Sequence, residues 1–282
     1  MTSRFARRGL PVLLLSSLAL TAVVPGGTAG ADQADRTDPA PGLRTDPAPG
    51  LRTDPAPGLR TDPALGLGAD LAPEDRVVGY IADDLPGRSS TLPETPLGSL
   101  IADAQAAAGQ AYGADFALVN PGRMSADLRY GDGGAVTYAD ARHVQPSDAP
   151  LWVLPVTGEH LLAALRQQFT GENRASPRFL QLSAELSYAV DMSRTGADRV
   201  LADTVRVHGE PLDPAATYRV VLDESLADGG DGFTVFADVT AREGGVTSEV
   251  RALVAHLAAT TAPDRPAGVP APGRIRFVAR GH

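Results

Sequence analysis

Hydrophobic residues are unevenly spread along this chain of 282 residues. A continuous apolar run occupies Leu10 to Val24, residues 36 to 67 show neither a helical nor a strand period, and amphipathic patterning begins near Glu74. Val77 to Ile81 predicts an edge strand or an extended lead-in. Thr95 followed by Pro96 forms an N-cap and first-turn pair, and Leu97, Leu100, Ile101 and Ala104 then share one helical face. Phe116 to Val119 reads as a short buried strand that delivers Asn120 into a Pro-Gly turn. Leu151 to Val156 reads as a second buried strand, running into a helix capped by Thr157 with Leu161, Leu162, Leu165 and Phe169 as its stripe. From Leu182 the period becomes two. Leu186 to Val190, Val200 to Val207 and Tyr218 to Leu222 read as antiparallel strands, with His208-Gly209-Glu210 as the turn between the last two. A helix from about Ser248 carries Val250, Leu253, Val254 and Leu257, and Arg274 to Val278 closes the pattern as a strand. Helices among mostly antiparallel strands predict an α+β fold: one domain, residues 74–282, of mixed, largely antiparallel sheet with packed helices.

The residues before that domain divide in two. Arg4, Arg7 and Arg8 precede the apolar run and Ala29-Gly30-Ala31 follows it, which is the layout of a signal peptide over residues 1–31. Pro11 interrupts the run and its length is short for a membrane span, so cleavage is expected rather than anchoring. Residues 32–73 then read as a linker rich in Pro, Gly and Ala. Arg36-Thr-Asp-Pro-Ala-Pro-Gly-Leu43 recurs from Arg44, from Arg52 and, with Leu65 in place of Pro, from Arg60. Two prolines and a glycine in each repeat exclude a helix or a ladder and predict an extended spacer, reaching on the order of 100 Å in a polyproline-like state. A stalk that holds the domain clear of a cell wall and a neutral expansion of repetitive DNA account for it equally well.

Composition narrows the function classes. The chain has no cysteine, so its stability rests on an ordinary core despite the oxidising destination. Its formal charge is −9, and loss of the three signal arginines leaves −12. An acidic secreted domain is a poor candidate for nucleic-acid or anionic-membrane binding. No second stretch is long and apolar enough to span a bilayer, so a soluble, extracellular mature chain is expected.

Candidate catalytic chemistry is sparse. The five histidines, at 143, 160, 208, 256 and 282, are never three or four residues apart, and no Asp-x-His, Gly-Asn-His-Glu or His-x-His occurs. A two-metal phosphoesterase site needs such clusters. His160, His208 and His256 are therefore expected in surface or capping roles. There is no Gly-x-Ser-x-Gly elbow and no cysteine nucleophile. The pairs Asp83-Asp84 and Asp223-Glu224 read as surface acids rather than catalytic dyads. Gly229-Gly230-Asp231-Gly232 lacks the lysine of a phosphate-binding loop and by itself reads as a tight turn. The residues alone define no self-sufficient active site.

Three blocks, taken in order, carry a resemblance. They are Glu94-Thr-Pro-Leu-Gly-Ser-Leu-Ile-Ala-Asp-Ala104, Val119-Asn-Pro-Gly-Arg-Met-Ser-Ala-Asp-Leu128 and Ser225-Leu-Ala-Asp-Gly-Gly-Asp-Gly-Phe233. With Arg178-Phe-Leu-Gln-Leu182 and the Val200 to Tyr218 region, residues 90–278 resemble the C-terminal, substrate-binding domain of the secreted 5'-nucleotidases. The resemblance implies a domain without metal ligands that grips the nucleoside, helps hold the phosphate and turns substrate toward a separate metallophosphoesterase domain. No such domain is evident ahead of the blocks, so this chain is expected to bind no cofactor itself and to meet divalent metals only through a partner. The resemblance gives Asn120 a bond to the base or ribose, Asp231 the ribose hydroxyls, and Gly229 and Gly230 the backbone path that aims Asp231.

The chain also departs from the family's pattern. Two aromatic rings that sandwich the base are replaced by Ser147 and Ser225, and two arginines by Ser125 and Thr91. Arg123 and Arg88, two and three residues away, are the candidate replacements. Stacking contributes about 1–3 kcal/mol per ring and a charge-assisted hydrogen bond about 1.5–3 kcal/mol, so these losses remove on the order of 5 kcal/mol. The expected function is therefore that of a secreted, stand-alone 5'-nucleotidase C-terminal-type domain, not catalytic alone, with a nucleoside or nucleotide and a separate metallophosphoesterase as its partners. The alternative is a surface or ligand-binding module whose nucleotide site is lost, for which Trp152, Phe233 and Phe236 could offer contacts if they are not core.

Overall fold

A computed structural model describes residues 74–278. The signal-peptide and repeat-linker expectations lie outside the described residues. In chain order, strand β1 (Val77–Tyr80) leads to helix α1 (Pro96–Gly109) and strand β2 (Phe116–Val119). The Thr95 hydroxyl accepts from the Gly98 amide and Pro96 opens the helix, as the sequence implies. Strand β3 (Ala135–Thr137) and the short helix α2 (Tyr138–Val144) follow, joined by a capping box between Thr137 and Asp140. Strand β4 (Pro150–Thr157) then runs into helix α3 (Gly158–Gln167), with Thr157 as its cap.

The second half continues with β5 (Gln181–Leu182), β6 (Leu186–Val190), β7 (Val200–Val207) and β8 (Glu210–Pro211). Strand β9 (Thr217–Asp223) is followed by a single helical turn, α4 (Glu224–Ala227). Strand β10 (Glu243–Ser248), helix α5 (Glu249–Thr260) and strand β11 (Ile275–Phe277) complete the domain.

The strands form three sheets. The central one has the order β10-β4-β9-β2-β5, a second has the order β11-β6-β7-β8, and β1 pairs with β3. Pairing is antiparallel except for β2 with β9 and β6 with β11. This is the mixed, largely antiparallel α+β fold that the periodicity predicts. Both faces of the central sheet are covered. Phe116, Leu118, Leu154, Val156, Val220 and Leu222 join a core with α3 and the second sheet. Ala117, Leu151, Val153 and Val221 face small residues of α1 and α5, Ala106 and Ala252. A strand buried on both faces reads as a continuous apolar run, which is why β2 is visible in the sequence.

Two sequence expectations are corrected. The turn at His208-Gly209-Glu210 does not join β7 to the Tyr218 to Leu222 strand. His208 and Gly209 both have left-handed φ, as a two-residue hairpin needs, and the turn leads into β8. Strand β9 instead crosses into the central sheet, because Val220 to Asp223 are all buried and need cover on both faces. The second correction concerns Asp223-Glu224. Asp223 is only 1% exposed although Glu224 is exposed, so the two acids do not both lie on the surface; Asp84, by contrast, is half-exposed and pairs with Arg129. The sequence pattern does not announce strands β3, β5, β8 and β10 or helices α2 and α4. Glu243-Gly-Gly-Val-Thr-Ser248 in particular has no apolar period and pairs only as an edge strand beside Val153 and Trp152.

Candidate functional site

Strand β2 and the loop after α4 converge on one constellation. Asp223 caps α4 by accepting from the Leu226 amide at 3.2 Å, and the chain then turns through Gly229, Gly230, Asp231 and Gly232. A side chain at Gly230 would place its Cβ 2.7 Å from the Ser225 carbonyl oxygen, so only glycine allows this close approach. Asp231 itself has φ +54°, a conformation costly for a non-glycine residue and held by its neighbours. The Asn173 amide donates to the Asp231 carbonyl at 2.9 Å, Arg178 Nη1 pairs with Oδ1 at 2.9 Å, and Asn120 Nδ2 donates to Oδ2. Asn120, at the end of β2, is oriented because its Oδ1 accepts from the Gly122 amide at 3.0 Å.

Beside this group lies a cleft of about 520 Å³ between the 87–95 segment, the turn after Asn120 and the loop leading to β5. Arg88, Thr91, Asn173, Arg178 and Phe179 are among the residues that line it. Arg178 and Asn173 connect the cleft to Asp231, and Arg88 and Thr91 share its wall. The structure therefore brings Asn120 and Asp231 into direct contact, with Gly229 and Gly230 shaping the loop. Nothing in the sequence pattern alone singles out Arg178 as a site residue. Its place in the Arg178-Phe-Leu-Gln-Leu182 block was the available signal.

Arg123 lies in a different setting. Its Nε donates to Glu249 Oε1 at 3.0 Å, its Nη2 binds Glu249 Oε2, and the same Nη2 donates to the Ser147 hydroxyl at 2.6 Å. Asp223 Oδ1 is 3.9 Å from Nε. Glu249, the first residue of α5, is fully buried. Its hydrogen bonds raise the Arg123 pKa further above its ordinary value, with the nearby Asp223 and Asp231 charges acting in the same direction. Arg123 thus occupies the space beside Ser147, clasped by carboxylates. An acid at the first position of a helix reads as a dipole complement, and nothing in the sequence marks Glu249 as buried.

Burial pushes the Asp223 pKa up to about 6, with the Glu249 charge adding to the rise, and its Oδ2 has no hydrogen-bond partner among the described residues. Because the folded value exceeds the unfolded one, the native state holds the proton more tightly. Stability from this group is fully present below the unfolded pKa near 4 and is lost as pH rises through 6. Asp223→Asn keeps an oxygen for the α4 cap. Its expected result is a gain of about 1–2 kcal/mol at pH 7.5 and little change at pH 4.5, read by urea denaturation at both pH values. A loss at pH 7.5 would show that Arg123 stabilises the ionised form more than burial penalises it.

The remaining candidates have structural settings. His160 completes the cap of α3 with Thr157, His256 lies half-buried in α5 with its pKa lowered by burial, and His208 sits in the hairpin. Phe233 and Phe236 are fully buried in the core. Trp152 packs against that core with the Arg242 guanidinium 5.5 Å from its ring centre. Among the described residues no group of three or more His, Cys, Asp or Glu is placed to hold a metal ion. No described helix is long and apolar enough to cross a membrane.

These features coincide with a known family. The family model described as 5'-nucleotidase, C-terminal domain, matches residues 77–238. This chain belongs to that family. It is 34% identical over 148 residues to the cell wall protein Lmo0130 of Listeria monocytogenes, covering 51% of this chain and 18% of that protein. It is 31% identical over 171 residues to the trifunctional nucleotide phosphoesterase protein YfkN of Bacillus subtilis, covering 58% of this chain and 11% of that one. The chain therefore spans less than a fifth of the length of either relative. Among solved structures, a 5'-nucleotidase precursor from Thermus thermophilus superposes with a TM-score of 0.64 at 30% identity, covering 78% of this chain and 41% of that one.

Proposed function

We propose that this chain is a secreted substrate-binding domain of nucleotide catabolism, which holds a phosphorylated nucleoside-like ligand and performs no hydrolysis alone. The observation that carries this reading is the Asn120–Asp231–Arg178 constellation at the edge of a cleft that also bears Arg88. An amide and a carboxylate suit ribose hydroxyls and base edges, and two guanidinium groups suit a phosphate. Asp231 forms the polyol-facing part, held by the buried Asn120 and aimed by Gly229 and Gly230. Arg178 and Arg88 form the anion-facing part, whereas Arg123 is committed to Glu249. Metals and the hydrolytic step belong to a separate metallophosphoesterase in this reading. The likeness to a cell wall protein supports an extracellular location.

A thermal-shift series on the protein with AMP, adenosine, ribose 5-phosphate and phosphate, with and without manganese, tests the reading. A ligand at about 100 times its dissociation constant stabilises by about 2.7 kcal/mol, which is a shift of several degrees for a domain of this size. Asp231→Asn, which suits the left-handed backbone at this position and keeps a partly exposed side chain, is expected to fold normally and to weaken binding about tenfold or more. Phosphate release from AMP that persists through re-purification would overturn the non-catalytic assignment.

A second reading is favoured by a specific observation. Ser147 stands where the family has a stacking ring, and Arg123 fills the space beside it. If no nucleoside or nucleotide shifts the melting temperature, the domain is a surface module on the same scaffold.

A further inference from the structure

The loop after α3 and the loop before β7 carry the same five-residue pattern. Thr170-Gly-Glu-Asn-Arg174 and Thr195-Gly-Ala-Asp-Arg199 both read Thr-Gly-x-x-Arg. The likeness extends to conformation. Each threonine is extended, each glycine is left-handed (φ +53° at Gly171 and +54° at Gly196), and each stretch from glycine to arginine forms a 3-10 turn. Both loops line one cavity of about 430 Å³, to which each contributes its threonine, glycine and arginine, with Phe169 between them.

We propose that this cavity is a binding site for a phosphate-class oxyanion held between Arg174 and Arg199. Charge is the first argument. The chain is acidic, and eight of its described arginines are ion-paired with carboxylates. Arg174 and Arg199 have no carboxylate within 4 Å among the described residues, although they open into the same cavity. Glu172, in the first loop, lines the other cleft instead.

Preorganisation is the second argument. The Arg199 guanidinium lies over the Phe169 ring at 5.6 Å from its centre, and its Nε donates to the Arg194 carbonyl at 3.0 Å. Its two Nη groups have no hydrogen-bond partner among the described residues. A stacked and singly tethered guanidinium keeps its fork in one orientation, so less entropy is lost when an anion arrives.

The donor set identifies the ligand class. One guanidinium fork satisfies both oxygens of a carboxylate. Two forks on matching loops, with the Thr195 hydroxyl on the same wall, supply donors from both sides, while the Thr170 hydroxyl donates to the Arg166 carbonyl at 3.4 Å. They fit a tetrahedral ion with acceptors all round. Free phosphate and the phosphoryl group of a small phosphomonoester share this chemistry. This cavity is lined by none of the residues that line the Arg88–Arg178 cleft.

The test is an NMR titration of the full chain, following the Gly171 and Gly196 amide signals. The ligands are inorganic phosphate and glycerol 3-phosphate, with chloride and acetate as controls at equal ionic strength. Saturable shifts at both glycines with either phosphate, and not with the controls, are expected; the tighter ligand identifies the source of the phosphate. Arg174→Ala, at an exposed position that the fold does not need, is expected to weaken binding at least about tenfold. Arg199→Lys keeps the charge without the fork and should weaken it less than Arg199→Ala. Arg251→Ala, an equal loss of charge on the exposed face of α5, should leave it unchanged. The proposal is overturned if the two glycines do not respond saturably, if Arg174→Ala leaves the affinity as it was, or if phosphate perturbs only the residues around Asp231. That last outcome would leave the nucleotide-binding reading intact.

Discussion

Arg123→Ala is expected to destabilise the domain by about 3–5 kcal/mol at pH 7.5, because it leaves buried carboxylates without their counter-charge. Glu249 is fully buried, Asp223 is 1% exposed, and Arg123 is the only cation within 4 Å of either among the described residues. The attraction they lose is not replaced by water. The loss should shrink at pH 5, since Asp223 titrates at about 6 even with Arg123 present and rises further without it. Arg123→Ala combined with Glu249→Ala should be less destabilised than the sum of the single variants, which is the signature of a coupled pair. Denaturant titrations of the three variants at the two pH values measure all of this. A cost below about 1 kcal/mol for Arg123→Ala would mean that the clasp is solvated and behaves as a surface pair.

Glu94→Ala is the second large effect. Glu94 precedes the cap of α1, and its carboxylate accepts from the amides of Gly273 at 3.0 Å, Ile275 at 2.9 Å and Arg274 at 3.3 Å. It thereby fastens the last strand to the first helix, across about 180 residues of sequence. Arg274 reinforces the junction by pairing with Asp103 of α1 at 2.7 Å and donating to the Leu182 carbonyl. Three bonds to an ionised acceptor, at about 1.5–3 kcal/mol each and not fully additive, imply a loss of about 3–5 kcal/mol. Hydrogen exchange should show amides 273–277 losing protection ahead of the rest of the domain. Glu94→Gln, which retains one acceptor oxygen, should fall between the two. Equal protection in Glu94→Ala and the parent would show that β11 is held by its pairing with β6 alone.

The elements legible in the sequence are those whose burial is one-sided or complete. Thr95-Pro96 and Thr157 mark helix starts because capping is a local interaction, satisfied within three or four residues. Strand β2 announces itself because each of its four side chains is apolar. Strand β10 and the β3–α2 unit do not, since polar and glycine-rich edge positions need no hydrophobic period. The path of β9 is hidden for a related reason: a period-two reading assigns faces to a strand without choosing its neighbours.

The same division runs through the site. Asn120, Asp231 and the glycines around it stand out as types in a recognisable order, and the structure adds that Asn120 and Asp231 touch. Arg178, 53 residues before Asp231 in the chain, joins them only through the fold. Arg123 is visible as a cation near a missing arginine, but its partner Glu249 lies 126 residues away. By itself the sequence determined the family, the fold class and the helix caps, because each follows from local chemistry or from ordered short blocks. Only the tertiary structure decided which arginine faces which carboxylate, that Asp223 is buried, and that two Thr-Gly-x-x-Arg loops share one cavity. Those outcomes depend on contacts between distant segments, and their energies arise from burial and mutual approach, neither of which a linear pattern contains.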